Sequence, residues 1–337
     1  MTMTKDVLKE AIWANFLDIS HSGLLERLGN VTQMVTFPNN QMTRTRLSHT
    51  QDVFWLAETV SEGLDMFTRL CMTIAIGHDI GHVPFGHDGE RIVRKYLRED
   101  FTHGWMGVRL LKIMGFSIQE WVAIGIEGHS DGDLRLNKVI EYPEGRGRQR
   151  FCDLVAILDD VANAASDPFD VIMEYTESNN PEMREIAKKA RALIKRVKKE
   201  MGIQAKNMED AHQKILAAFT QNIIENSYGK QGIFMSKKYL RIFKEMKRFV
   251  YEEFHSSQYI LDLRSECTER LEKVMEETER IIVEKDFKSP IGIEIERFLK
   301  YVNYQEKENV KQQVVDFICT RTDHQIFQYY KTLGKTI

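Results

Sequence analysis

The sequence predicts a mainly α-helical protein, and three observations support this. Apolar residues recur at intervals of three and four along most of the chain, as in the segment 64–74, which is the spacing of one helix face. Strand-like alternation is scarce and short, with only MVTF at 34–37 and VIEY at 139–142 as candidates. Finally, the chain has only six prolines to interrupt its helices.

The predicted helices divide the chain into two parts. The first half is rich in His and Gly and contains an apolar helix that stops at Gly77. After about Asn179 the predicted helices are long and charged, as in ECTERLEKVMEETERIIVEKD at 266–286. We therefore expect a catalytic helical core at 1–179 and an additional helical C-terminal lobe at 180–337. The lobe is expected to complete the substrate site and to supply oligomer contacts.

Composition indicates a soluble globular protein. The 337 residues are 42% apolar and 29% charged, and no segment approaches the roughly 20 apolar residues that a membrane span needs. The four cysteines lie far apart without metal-binding spacing, which is typical of reduced, buried thiols in a cytoplasmic protein. The start of the chain lacks the apolar segment of a signal peptide. We therefore expect a cytoplasmic protein with no membrane partner.

The charge pattern gives little support for nucleic-acid binding by the whole molecule. The formal net charge is -3, so any attraction to a polyanion must come from a local patch. One such patch is the basic helical segment 188–199, which is either a solvated helix face or a contact for single-stranded nucleic acid.

Most of the ten histidines fall between His21 and His129, around the motif GHDIGHVPFGHDGE. An isolated histidine, His49, is followed by the pair His78-Asp79 at a helix end and by Asp159 inside an apolar helix. An unpaired carboxylate in a buried helix is costly, so Asp159 needs a partner. Imidazole and carboxylate donors together suit Mn, Fe or Mg better than structural zinc. The pattern predicts a divalent metal site, although each residue alone is more often a helix cap or a core residue.

Four segments carry a resemblance to a known family. RTRLSHT, HDIGHVPFGHDGE, FTHGWMG and LDDVANAASD resemble successive motifs of the HD superfamily's dGTPase-like deoxynucleoside triphosphate (dNTP) triphosphohydrolases. The likeness runs from about His21 to Asp167 and is fainter in VVDFICTRTDHQIFQYY near the C-terminus. It implies an HD-domain helical core and metal-dependent hydrolysis of a dNTP, dGTP among the candidates, to deoxynucleoside and inorganic triphosphate.

The resemblance also implies roles for individual residues. By this likeness the metal ligands are His49, His78, Asp79 and Asp159, with Asp160 as a neighbour of the site. His87 corresponds to a catalytic histidine beside the α-phosphate and Glu90 to the carboxylate that orients it. His103 matches another active-site histidine. His82 matches a histidine that reaches the phosphates. For both His82 and His103 the alternative is a structural role in packing.

Substrate contacts are implied at five positions. Besides His82, Gln33 and Asp167 match residues that bind the sugar 3′-hydroxyl, and Arg46 resembles an arginine near the base or phosphate. Relatives usually carry tyrosine four residues after the metal-binding aspartate, where its ring packs under the deoxyribose. This chain has Asn163 there. The smaller polar side chain weakens the expected preference for deoxyribose over ribose.

The implied mechanism is in-line attack of a metal-activated water on the α-phosphorus, with His87 handling a proton and Glu90 orienting it. The resemblance also implies a homo-oligomer, commonly a hexamer, and a possible nucleotide effector. Two alternatives remain open: a different HD nucleotide phosphohydrolase, such as a nucleotidase or a phosphodiesterase, and a nucleotide-sensing or nucleic-acid-binding regulator with a vestigial site. The chain has no GxxxxGK[ST] motif, which argues against a P-loop NTPase.

Overall fold

The computed structural model describes residues 5–97, 101–129, 132–138, 148–302, 304 and 308–333. The mainly α prediction is confirmed, because these residues form helices and their connections. Within the described ranges there is no β-sheet, and the one strand-like pairing is an isolated bridge between Thr32 and Thr45. The candidate strand at 34–37 is a bend, and the one at 139–142 lies outside the described residues.

The first half of the chain supplies nine described helices. They are α1 (Lys5–Ser20), α2 (Gly23–Arg27), α3 (Arg46–Gly63), α4 (Thr68–Gly77), α5 (His87–Leu97), α6 (His103–Ile113), α7 (Glu120–Glu127), α8 (Gly132–Arg135) and α9 (Arg148–Tyr175).

The second half continues with α10 (Pro181–Met201), α11 (Met208–Ser227), α12 (Lys237–Phe249), α13 (Gln258–Glu284), α14 (Pro290–Tyr301), α15 (Val310–Ile318) and α16 (Asp323–Leu333). A π-helix at Val250–Phe254 extends α12 toward α13. Such π turns are uncommon and occur often at functional sites.

Helices α4 and α9 form the centre of the molecule. Helix α4 packs against α1, α3, α7 and α9, and its residues from Thr73 to Gly77 are all buried. Helix α9 contacts α3, α4 and α7 on one side and α10, α11 and α12 on the other. Because His78 directly follows α4 and Asp159 lies in α9, the two central helices bring the predicted metal ligands to the middle of the fold.

Local capping fixes where two of the site helices begin. Thr45 caps α3 by accepting from the Ser48 N–H, and the Ser48 side chain accepts from the Thr45 N–H in return. This reciprocal cap places His49 one turn into the helix, and its N–H donates to the Thr45 carbonyl. Thr102 caps α6 with its side-chain oxygen, which accepts from the Trp105 N–H, so His103 is the first residue of that helix.

Two glycines allow the site elements to approach closely. A Cβ on Gly81 would lie 2.1 Å from the His103 carbonyl oxygen, and a Cβ on Gly104 would lie 2.5 Å from the Ile126 carbonyl oxygen. No larger residue fits at either position without moving backbone. The turn after α4 therefore packs onto the start of α6, and the start of α6 packs onto the end of α7.

The second half packs directly on the first. Helix α13 contacts α5, and α10, α11, α12 and the π-helix all contact α9. Buried side chains from both halves belong to one continuous hydrophobic core. The predicted boundary near residue 179 falls between α9 and α10 and stays a prediction. All four cysteines are buried free thiols, and no described helix is long and apolar enough to cross a membrane.

Candidate active site and metal centre

A cavity of about 660 Å³, counted with its open mouth, lies where the two halves meet. One wall comes from the first half and includes Asp79, His82 and Asp159. The opposite wall comes from the second half, where α12 supplies Lys247 and the π-helix supplies Tyr251, with His255 just beyond it. The cavity therefore joins two of the predicted metal ligands, Asp79 and Asp159, to side chains that the sequence did not indicate.

The four predicted metal ligands lie together at the base of the first wall. His49 Nε2 is 2.8 Å from Asp159 Oδ1, and His78 Nε2 is 3.5 Å from Asp79 Oδ1 and 3.9 Å from Asp159 Oδ1. His49, His78 and Asp79 are buried, and each offers a donor atom within 4.8 Å of the others. Imidazole nitrogens and carboxylate oxygens at this spacing fit one divalent ion.

The hydrogen bonds of His78 leave one ring nitrogen available as a ligand. Its Nδ1 is 2.7 Å from the Ala75 carbonyl oxygen, which accepts only, so Nδ1 carries the proton. Its Nε2 is buried without a hydrogen-bond partner in the described structure. An unpaired buried nitrogen is unfavourable, whereas a metal ion would satisfy it, so the donor set fits the group that the sequence implies.

Arg46 lies against the metal ligands. It is buried, its Nη1 donates to Asp79 Oδ2 at 2.7 Å and its Nε donates to the Thr32 carbonyl at 3.1 Å. Burial alone would raise the pKa of Asp79, but its interactions with His78, Arg46 and His82 outweigh burial and hold that pKa well below its ordinary value. Although Arg46 also lines the cavity, its observed contacts orient Asp79 and keep it ionised.

Glu90 lies at the centre of a second group of histidines. Its Oε1 is 2.7 Å from His103 Nδ1, 3.2 Å from His82 Nδ1 and 3.6 Å from His87 Nδ1. Burial would raise the pKa of Glu90, but the neighbouring imidazoles, His103 first, lower it well below its ordinary value. The sequence suggested that Glu90 orients His87, whereas the structure places it closest to His103.

His87 projects into the cavity from the first turn of α5. The His87 side chain is 75% exposed to solvent, and its ring centroid lies 5.1 Å from that of His82. Burial by the surrounding protein lowers its pKa, but the hydrogen bond and charge of Glu90 outweigh this and raise it. The pKa of His82, by contrast, falls well below its ordinary value because of burial, Arg46 and His103. His87 is therefore the histidine of this group that is best placed to carry a proton.

The predicted sugar contacts form a chain that leads to the metal ligands. Gln33 Nε2 donates to Asn163 Oδ1 at 2.8 Å, and Asn163 Nδ2 donates to Asp159 Oδ1 at 3.0 Å. Asp167 lies farther along the same face of α9 and pairs with Arg44 at 2.7 Å. Burial, which outweighs Arg44, and the nearby Asp170 raise the pKa of Asp167 to about 7. Gln33, Asn163 and Asp167 all line the cavity.

The sequence interpretation missed His129, which follows α7. It is buried, and its Nε2 is 2.8 Å from His103 Nε2. Its Nδ1 is 2.6 Å from the Ile126 carbonyl oxygen. Burial and the charges of His103 and His78 lower its pKa to about 3, so the ring is neutral near pH 7. Its only sequence signal was membership of the histidine-rich region.

The second-half wall was missed as well. Lys247 Nζ contacts Asp160 Oδ1 at 2.9 Å, which gives Asp160 a partner beside the site. Arg264 Nη2 donates to His255 Nδ1 at 2.6 Å, and Arg264 Nε lies 3.0 Å from Asp88 Oδ2. These residues are spread over a charged region without a motif, so nothing in their spacing indicated a site.

Comparison with known proteins agrees with the motifs. Residues 46–164 match the HD domain family model. A deoxyguanosinetriphosphate triphosphohydrolase-like protein of Caldanaerobacter subterraneus is 27% identical over 94% of this chain and 82% of its own length. One of the same description from Clostridium perfringens is 26% identical over 90% of this chain and 81% of its own length.

A solved structure described as a phosphohydrolase from Bacteroides thetaiotaomicron is more distant. It is 14% identical, covers 94% of this chain and 67% of its own, and has a TM-score of 0.44. The family model and the two relatives, by contrast, cover the residues of the first wall. They support a hydrolase of the HD phosphohydrolase class: residues 46–164 match the HD domain, and most of the chain is similar to deoxyguanosinetriphosphate triphosphohydrolase-like proteins.

Proposed function

We propose that this protein hydrolyses deoxynucleoside triphosphates to deoxynucleoside and inorganic triphosphate. One observation carries the proposal: a single cavity is lined by Asp79 and Asp159 of the donor set, by His82, His87 and His103, and by Lys247, Tyr251 and His255 from the second half. A polyphosphate needs donors along its length, and a nucleoside needs an amphipathic surface beside them. The names of the two relatives support the same substrate class.

The donor set His49, His78, Asp79 and Asp159 would hold one divalent ion, Mn, Fe or Mg. When bound, this ion supplies charge stabilisation at the phosphate and lowers the pKa of water. Arg46 keeps Asp79 ionised and oriented by the 2.7 Å contact to its other oxygen. Asn163 Nδ2 donates to Asp159 Oδ1, the same oxygen that faces His49 and His78, and so helps to orient this carboxylate.

His87 is the proposed proton donor. Attack of water on the α-phosphorus forms a new P–O bond and breaks the bond to the 5′ oxygen, which leaves with the deoxynucleoside and takes up a proton. The raised pKa of His87 keeps its imidazole protonated closer to neutral pH. Glu90 holds this ring and that of His103, and so acts as a positioning residue.

The second-half wall is the proposed site for the phosphate chain. Because Arg264 donates to His255 Nδ1, the proton of the His255 ring lies on Nε2. Burial, Arg264 and His87 lower the pKa of His255 to about 3, so the ring is a neutral N–H donor. Lys247 adds a positive charge at the same wall.

The test is a product assay with all four dNTPs and the matching ribonucleotides, in Mn²⁺ or Mg²⁺. We expect inorganic triphosphate and the nucleoside, detected by ³¹P NMR and chromatography. His78→Ala should reduce turnover by roughly a thousandfold or more, because a metal ligand is lost. His21→Ala, at an exposed histidine outside the cavity, is the matched control.

Other products would identify a different enzyme. Orthophosphate or pyrophosphate from the same reactions would contradict the proposal and favour a nucleotidase or phosphodiesterase. Salt-sensitive DNA binding without hydrolysis in any metal would favour the regulator instead.

A further inference from the structure

A buried carboxylate at the start of α16 holds two segments of the active site. Asp323, the first residue of this helix, is 4% exposed. Its Oδ1 accepts from the Phe85 N–H at 2.8 Å, and its Oδ2 accepts from the Thr32 N–H at 2.9 Å and from the Thr32 hydroxyl. Asp323 does not line the active-site cavity, so its effect on the site must pass through these two residues.

The bond to Phe85 supports an unfavourable turn directly before His87. Phe85 has φ +66° and Gly86 has φ +60°, so two consecutive residues adopt the left-handed conformation. A bulky residue such as Phe keeps this conformation only where the surrounding structure holds it. The Gly86 carbonyl accepts from the Glu90 N–H in the first turn of α5, and His87 is the first residue of that helix. The direction in which His87 enters the cavity therefore depends on this turn.

The bonds to Thr32 reach the metal-ligand side of the site. The Thr32 carbonyl accepts from Arg46 Nε at 3.1 Å, and Arg46 Nη1 donates to Asp79. A Cβ on Gly86 would lie 3.4 Å from the Thr32 carbonyl oxygen, so the Thr32 segment and the left-handed turn lie side by side. The carboxylate of Asp323 joins them from behind.

The segment that carries Asp323 is itself tied to the turn after α4. Arg27 is buried, and its Nη1 donates to the Arg321 carbonyl at 2.9 Å. Its Nη2 donates to the carbonyls of Ile80 and His82, both at 2.9 Å. The start of α16 and the chain from 80 to 86 are therefore held together at two points.

We propose that Asp323 is a positioning residue for His87: by holding Phe85 in the left-handed turn, its carboxylate directs the His87 imidazole into the cavity and toward Glu90. A buried carboxylate is unfavourable compared with an apolar side chain, so packing of α16 alone does not require one. A carboxylate has two accepting oxygens, and Phe85 and Thr32 present donors to both. The effect on turnover rests on the proposed function, whereas the placement of the His87 ring does not.

Asp323→Asn tests the proposal, because the amide keeps the shape of the side chain and replaces one accepting oxygen by a donor. NMR follows the histidine Cε1–H signals against pH in the whole chain with Mg²⁺, and His87→Gln assigns the His87 signal. We expect the first turn of α5 to loosen and the contact of His87 with Glu90 to weaken. The pKa of His87, which Glu90 raises, should then fall toward its ordinary value.

Turnover is the second measurement on the same variant. The kcat of Asp323→Asn should fall roughly tenfold, which is part of what a general acid contributes. Since the proposed donor is the protonated His87, the alkaline limb of the pH–rate profile should move to lower pH together with the NMR titration.

Asp316→Asn is the matched control. Asp316 is a fully buried carboxylate of the same C-terminal segment, but its partners Arg109, Gln312 and Tyr304 lie outside the cavity. This variant should melt at a lower temperature and leave the pKa of His87 unchanged. An equal fall of that pKa in Asp316→Asn would overturn the proposal in favour of a general loosening of the segment.

Thr32→Val keeps the test decisive if Asp323→Asn does not fold. It removes the hydroxyl bond to Asp323 and keeps the N–H bond, so it should lower the pKa of His87 by less. An unchanged His87 titration in whichever of these two variants folds would overturn the proposal. Failure of the wild type to release triphosphate would contradict the proposed function instead, because the NMR result does not depend on the reaction.

Discussion

The two walls of the active-site cavity are built in different ways. In the first-half wall, buried histidines and carboxylates are held by backbone carbonyls or by one another, as with His78 on Ala75 and Glu90 on His103. In the second-half wall, the polar groups stand on one helix and a π turn, and His255 is held by Arg264 from α13. One wall is pre-organised for metal and proton chemistry, and the other presents donors to a ligand.

The difference suggests a division of labour. If the proposed function is correct, changes in the buried wall should affect turnover, because its groups are proposed to act on the reacting atoms. Changes in the second-half wall should affect the binding of the phosphate chain, because its groups are proposed to contact a part of the substrate that does not react. Mutations in either wall test whether effects on turnover and effects on phosphate binding separate in this way.

Glu90→Gln should give the largest effect of the variants that leave the four predicted metal ligands intact. Removing the carboxylate leaves His87 and His103 without their charged partner, and we expect kcat/KM to fall about a hundredfold. Because Glu90 raises the pKa of His87, the substitution should lower it. A protonated His87 is the proposed donor, so the alkaline limb of the pH–rate profile should move to lower pH.

The control is Arg94→Gln. Arg94 Nη2 lies 3.2 Å from Glu90 Oε2, so this variant changes the surroundings of the carboxylate and leaves the carboxylate itself in place. Its alkaline limb should move much less than that of Glu90→Gln. An unchanged limb in a folded, metal-loaded Glu90→Gln enzyme would exclude His87 as the donor.

The difference between the two walls also explains which parts of the site the sequence could predict. The mainly α fold was predictable because apolar residues recur at helical spacing through most of the chain. The first wall was predictable because its residues lie within short motifs around His78, Glu90 and Asp159. His129 and His255 were missed because their partners are 26 or 9 residues away, and only packing brings the rings to those partners.

His255→Asn should give an intermediate effect, on binding rather than on turnover. The shorter side chain no longer reaches the position of the ring Nε2, and loss of one hydrogen bond to a charged phosphate weakens binding about tenfold. The inhibition constant of inorganic triphosphate and the KM should rise together, with kcat nearly unchanged. Because the ring is neutral, the effect should be the same at pH 6 and pH 8.

His324→Asn, at an exposed histidine outside this cavity, is the matched control and should leave the inhibition constant unchanged. A fall in kcat with an unchanged inhibition constant in His255→Asn would place this residue in the chemical step and remove the proposed division between the walls.

Asn163→Tyr should give the smallest change, because it alters the cavity lining at the proposed sugar contact rather than either wall. Asn163 bonds to both Gln33 and Asp159, and its short side chain leaves room where the family resemblance implies a tyrosine ring. A ring there would crowd a ribose 2′-hydroxyl, and one such steric contact in a pocket is worth about 1–3 kcal/mol. We expect the ratio of kcat/KM for dNTP over NTP to rise roughly fivefold, at the lower end of this range.

The tyrosine also removes the amide that orients Asp159, so turnover should fall for both sugars while their ratio rises. Asn163→Ala separates these effects, since it removes the same hydrogen bonds but adds no ring. If the ratio rises equally in the alanine variant, selectivity depends on the orientation of Asp159. If the selectivity ratio rises only with tyrosine, the side chain at position 163 selects the sugar by shape. In that case the small Asn163 side chain is what lets the cavity accept ribose.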